Sequence, residues 1–256
     1  MSPLDQLAVL AAGVAAGGIN AVVGSGTLIT FPVLLALGYP PVTANVSNTV
    51  GLVPGNLSGV LGYRRELAGQ RARVLRLGTG TVLGALIGAI LLLKLPPGAF
   101  KAIVPALIIL ALVLVVVQPR LSRWVKDRRA ANGREAETGG HGVLLWLAVV
   151  GTGVYGGYFG AAQGVLLMGL LGVVVHEDLQ RLNAVKNVLA LLANTVSAAI
   201  FIVVADVSWA AAGLIAVGSV IGGQLGARLG RRLPPAVLRA VIVVVGIVAV
   251  TRLLIT

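Results

Sequence analysis

Ten apolar runs, separated by short polar or glycine-rich intervals, leave this chain little choice of environment. They lie at 4–18, 27–37, 42–62, 74–93, 98–117, 143–161, 164–175, 182–204, 208–227 and 236–254. A helix needs about 20 apolar residues to cross a bilayer core, and six of the ten runs reach or nearly reach that length. Charged residues make up 11% of the 256, less than half the ~25% of a soluble domain. The chain reads as an all-α, polytopic membrane protein. Its net charge of +12 has a plain cause. Most Lys and Arg fall between apolar runs, where cytoplasmic loops carry them, so nucleic acid is not an expected partner and the lipid bilayer is. There is no Cys, and His141 and His176 are the two histidines. Thiolate chemistry is excluded, a His-cluster metal site lacks ligands, and no cofactor is expected. The first run starts beside Asp5 with no basic segment before it, and is read as part of the fold rather than a cleaved leader.

The two halves match. At a constant offset of 138 residues Gly18 falls on Gly156, Gly26 on Gly164, Leu28 on Leu166, Asn45 on Asn183 and Asn56 on Asn194. Gly80, Gly84 and Gly88 fall on Gly218, Gly222 and Gly226, and the LPP of 95–97 on that of 233–235. Paired Asn in apolar helices are rare enough to make chance a poor explanation. Internal duplication is characteristic of secondary transporters. The expected organisation is a first repeat over 1–117, a basic cytoplasmic linker over 118–142 and a second repeat over 143–256.

Loop charge decides the relative orientation of the halves. Residues 63–76 carry Arg64, Arg65, Arg71, Arg73 and Arg76 against Glu66, whereas their mate around 205–207 holds only Asp206. The stretch 118–142 is basic, as is the one after Ala227, with Arg228, Arg231 and Arg232. Parallel halves would break the positive-inside rule, and inverted halves satisfy it. Each half is therefore expected to be a broken, re-entrant helical hairpin followed by three transmembrane helices, with both termini outside. Two thin full crossings in place of each hairpin give the same sidedness.

The hairpins carry the first candidate site residues. The stretch GGINAVVGSGTLITFP, residues 17–32, puts Asn20, Ser25, Gly26 and Thr27 inside apolar sequence, and GGYFGAAQG brings Gln163 and Gly164. Backbone leaves helical geometry at membrane depth only where protein or a water-filled cavity satisfies it. Two such breaks are expected to line one buried site, with the amino termini of the half-helices offering N–H groups to an anion. Packing by small residues is the competing explanation. The next helix of each half adds a polar stripe, Asn45, Asn48 and Asn56 in the first and Asn183, Lys186, Asn187 and Asn194 with Ser197 in the second. Such a stripe faces the bundle interior. All eight acidic residues fall in loops or at segment ends, so no run has a carboxylate at its middle. A cation carrier would want one there. Lys186 is the one basic residue in the stripes. It is read as helping to bind an anion, against the alternative that its stem carries the ammonium to the interface. The glycine rows at 80–88 and 218–226 are assigned to close helix packing.

No convergent acid–base set, phosphate-binding loop or paired-His zinc motif is present, so enzymatic activity is not expected, and without an ATPase signature any active transport would be coupled to a gradient or to a partner. A passive anion channel and a non-transporting scaffold are the alternatives.

Four segments, GGINAVVGSGTLITFPVLLALGYPPVTANVSNTV, GTVLGALIGAILLLKLPP, LNAVKNVLALLANTVSAAIFI and IGGQLGARLGRRLPPAVLR, together resemble the sulfite exporter TauE/SafE family. The resemblance spans nearly the whole chain. It implies a multi-pass permease of the inner (plasma) membrane for small anions such as sulfite, sulfonates or thiosulfate, working by alternating access around a central site. A small anionic substrate is the expected partner, and a homodimer is left open. Residues 44–48 read ANVSN where many relatives carry a GTS-like run, a departure that bears on the substrate rather than on the family.

Overall fold

The computed structural model describes residues 1–132, 141–175 and 177–229, with residues 240, 243, 244 and 247 beyond them. The rest of the expected last span at 236–254, the second LPP, Arg231, Arg232 and His176 lie outside the described residues. Among those described, every regular element is a helix: α1 (Pro3–Val22), α2 (Thr27–Ala36), α3 (Pro41–Gly62), α4 (Arg71–Lys94), α5 (Pro97–Asn132), α6 (His141–Tyr158), α7 (Gln163–Val174), α8 (Leu179–Val204) and α9 (Trp209–Leu229).

Local sequence sets the starts. Ser2 caps α1 and trades hydrogen bonds with Asp5, and Pro3 takes the first turn, where a missing N–H costs nothing. Asp178 caps α8 by accepting from the amides of Gln180 and Arg181. Among the described residues five helices are long and apolar enough to cross a membrane: α1, α4, the 98–117 part of α5, α8 and α9. At 22 residues α3 is as long, but its buried Asn, Ser and Thr side chains lower its hydropathy.

Two helices outrun their apolar patterns. α1 is 20 residues long, about 30 Å at 1.5 Å per residue, so the first half of the hairpin is not a short piece. Its partner α2, at 10 residues, is. α5 continues past Val117 to Asn132, so the start of the basic linker is helix rather than loop. Hydropathy marks where apolar solvent would end, whereas Arg, Lys and Ala sustain a helix in water as well.

The glycine rows pack helices across the halves. α4 lies on α6 and α9 on α1. A β-carbon at Gly84 would sit 2.2 Å from the carbonyl oxygen of Val150, and one at Gly222 1.9 Å from that of Val14, so backbone meets backbone there. α3 and α8 also touch, and they run antiparallel. α8 starts beside the turn after α3, where Gln70 Nε2 donates to Arg181 O at 3.0 Å, Arg181 donates to Ala68 O, and Glu177 bridges Arg73 and Arg181 at 3.3 and 2.9 Å. It ends beside the start of α3, where the Ser208 amide donates to Ser47 Oγ at 2.8 Å and Ser208 Oγ to Tyr39. The core gathers Phe31, Phe100 and Phe159 around the α2 and α6 ends, with Phe31 and Phe159 edge to face at 5.2 Å.

Candidate functional site

A helix that stops in the protein interior must find partners for its last carbonyls. α1 stops at Val22 because Gly24 takes a left-handed φ of +86°, and the amides of Val23 and Gly24 both turn back to Ile19 O. The carbonyls of Asn20 and Ala21 then point onward without intrahelical partners. α8 meets them from the other half of the chain. Asn183 Nδ2 and Asn187 Nδ2 donate to Ala21 O at 3.0 and 3.2 Å, and Lys186 Nζ donates to Asn20 O at 3.0 Å. The Asn20 side chain bridges the break. Its Oδ1 accepts from the Gly26 amide at 2.6 Å, at the start of α2, and its Nδ2 donates to Asn56 Oδ1 at 3.3 Å.

α6 ends by the same device. Gly160 has a φ of +76°, and the amides of Phe159 and Gly160 return to Tyr155 O. Here α3 supplies the cap, Asn45 Nδ2 donating to Tyr158 O at 3.0 Å. α7 then starts at Gln163 after Ala162, which is left-handed at +59°. The two turns pair Gly24 with Gly160, two residues short of the offset that pairs Gly26 with Gly164. The register that holds along the helices therefore slips at the breaks.

The breaks touch. The Gly164 amide donates to Gly24 O at 3.1 Å, and a β-carbon on either glycine would lie 2.5 Å from the other's Cα. The stem of Lys186 runs past this contact, with its Cδ 3.1 Å from where a β-carbon of Gly164 would stand. Lys186 is 0% exposed, so its ammonium does not reach an interface. Among the described residues no carboxylate contacts it, and one of its three N–H groups is spent, on Asn20 O.

The remaining expected residues divide into three groups. Asn48 and Thr27 are joined, Asn48 Nδ2 donating to Thr27 Oγ1 at 3.2 Å, while Thr30 Oγ1 donates to Asn48 Oδ1. Ser25, Gln163 and Asn56 are buried, and among the described residues Ser25 Oγ, Gln163 Nε2 and Asn56 Nδ2 have no hydrogen-bond partner. A buried polar atom left so is costly, and these three stand at or beside the breaks. Gln163 lies against Gly156, whose β-carbon would meet its amide at 2.4 Å. Asn194 stands apart: it is only half-buried, and no hydrogen bond of its side chain is seen among the described residues. The amino-terminal amides of the half-helices are more occupied than the sequence suggests, since Gly26 N–H goes to Asn20 and Gly164 N–H to Gly24. What the sequence reading missed is mostly backbone: the carbonyls of Asn20, Ala21 and Tyr158, and the glycines at 24 and 160. A glycine two residues past a helix's last periodic position is the signal that marks such an end.

The arrangement is a buried junction of two chain breaks with one buried lysine and, among the described residues, several unmatched donors. The family model for sulfite exporter TauE/SafE matches residues 9–253. A probable membrane transporter protein of Haemophilus influenzae is 25% identical over 253 residues, covering 98% of this chain and 95% of that protein. The probable membrane transporter protein YfcA of Escherichia coli is 28% identical over 250 residues, covering 93% of this chain and 86% of that protein. No solved structure matches.

Proposed function

This chain belongs to the sulfite exporter TauE/SafE family, and from that premise we propose that it is a secondary transporter of small anions, sulfur oxyanions or organosulfonates, binding them at the junction of the two breaks. The family and the five span-length helices make it a multi-pass membrane transporter. The finer reading is alternating access, with two inverted repeats, 1–117 and 143–256, rocking about that junction in the inner membrane and the basic linker of 118–142 on the cytoplasmic side. The antiparallel run of α3 and α8 supports it, as does the exchange by which α8 caps α1 while α3 caps α6.

One observation carries the choice of an anion. Lys186 is fully buried at the break contact, and no carboxylate meets it among the described residues. An uncompensated charge at membrane depth is expensive, and a bound anion compensates it. Ser25 Oγ, Gln163 Nε2 and Asn56 Nδ2 are donors in want of acceptors nearby. The test is a thermal-stabilisation screen of purified protein against sulfite, sulfate, thiosulfate, sulfonates and carboxylates. The proposal expects at least one sulfur oxyanion or sulfonate to raise the melting temperature. It fails if none of these anions does and a neutral or cationic solute does.

A further inference from the structure

We propose that the Lys186 ammonium is a built-in substitute for a free monovalent cation at the carboxyl end of α1, so that an anion binds at the junction without a co-bound sodium or potassium ion. The inference deepens the anion-transporter reading and rests on it.

The end of α1 is an oxygen-rich place. The carbonyls of Asn20 and Ala21 project from it, and the helix dipole makes it the negative end. Half-helix carboxyl ends and unwound carbonyls in membrane carriers are where small cations coordinate. A neutral donor is enough to cap such a carbonyl, as the equivalent turn demonstrates: there the Asn45 amide alone caps Tyr158 O. At α1 two neutral amides, from Asn183 and Asn187, already serve Ala21 O. Adding a full charge on Asn20 O is more than capping requires. The position matching Lys186 in the first half is Asn48, which turns instead to Thr27 and Thr30, so the charge is an addition to the duplicated plan.

A second observation points the same way. Among the described residues Asn183 Oδ1 is an acceptor without a partner, as is Asn45 Oδ1 at the neutral end, but only Asn183, 6% exposed, stands three positions before a lysine on its helix. Without the lysine, the Asn20 carbonyl would join Asn183 Oδ1 as an oxygen with no donor. Those are hard oxygen ligands of the kind sodium takes. The tethered ammonium takes the ion's place at the Asn20 carbonyl, and its two remaining N–H groups stay available to an anion.

The experiment uses purified full-length protein in sodium, potassium, methylammonium and choline chloride, choline being too large to enter. In the parent, anion-induced stabilisation should be the same in all four salts. Lys186→Ala should gain a cation response, its melting temperature rising about 3 °C or more in sodium or methylammonium over choline once the ion is tenfold above its Kd. Lys186→Met, which fills the space without a charge, should show no such rise. An Ala variant that can be recovered only in sodium or methylammonium counts as the same result. An Ala variant indifferent to the cation overturns the proposal, as does one that fails to fold in every salt, because a cation must be able to refill the space. The cation response is read without any anion. A parent that responds to no anion therefore defeats the transport reading and leaves this readout to give its own answer.

Discussion

The ends of α1 and α6 are built from the same backbone and finished differently. Both close on a left-handed glycine two residues past the helix, and both send their last carbonyls to an asparagine from the other half of the chain. At α1 a second asparagine and a buried lysine join in, and Asn20 ties the break to both α2 and α3. At α6 one asparagine serves, and among the described residues the Tyr158 hydroxyl is left without a partner. The same backbone turn occurs twice, and a lysine stands at only one of the two ends. A site with one charged and one neutral side can orient an anion that a strictly symmetric site could not.

The largest contrast should come from the two turn glycines. Gly24→Ala meets both a left-handed φ and the Gly164 Cα at 2.5 Å, whereas a β-carbon at Gly160 meets Gly156 O at 3.1 Å. Left-handed strain alone costs about 1–2 kcal/mol. Gly160→Ala should lose about that much in thermal unfolding, while Gly24→Ala should fail to yield monodisperse protein by size-exclusion chromatography. Equal losses would mean that the break contact is not structural.

Next in size is Asn20 against Tyr158. Asn20→Ala strands the Gly26 amide and Asn56 Oδ1, so it should destabilise by about 1–3 kcal/mol. Tyr158→Phe removes an unpartnered buried hydroxyl and should be neutral within about 0.5 kcal/mol. A destabilised Tyr158→Phe would reveal a partner for that hydroxyl. The smallest contrast is between the capping asparagines. Asn45→Ala leaves Tyr158 O bare, for about 1–2 kcal/mol, whereas Asn183→Ala leaves Asn187 on Ala21 O and should cost under about 1 kcal/mol. Reversal of that order would show that the two carbonyl ends are not comparable.

Much of this was legible in the sequence. The all-helical, multi-pass character follows from hydropathy alone, and the polar stripes fall on buried faces: Asn45, Asn48, Asn56, Asn183, Lys186 and Asn187 are all buried. The break at GSGT was legible because only a chain leaving helical form needs such residues at that depth. What could not be read is who meets whom. A repeat offset relates residues to their counterparts and says nothing about contacts across the halves, so α8 reaching α1 and α3 reaching α6 came only with the structure. Backbone carbonyls carry no sequence signature, which hid the acceptors of Lys186 and of all three capping asparagines. Asn194 has the spacing of the stripe, but it sits two further turns along α8 and is only half-buried. The length of α5 was hidden because apolarity and helicity end at different residues.

The most direct measurement is counterflow of labelled sulfite or a small sulfonate into sodium-free proteoliposomes, comparing the parent with Lys186→Ala. If the junction of the breaks binds the anion and Lys186 supplies its charge, the parent should show saturable uptake accelerated by unlabelled anion inside. In Lys186→Ala, loss of a charge-assisted hydrogen bond worth about 1.5–3 kcal/mol should weaken apparent affinity by about 10- to 150-fold. Parent uptake no greater than that of empty liposomes, or a folded Lys186→Ala variant as active as the parent, would contradict it.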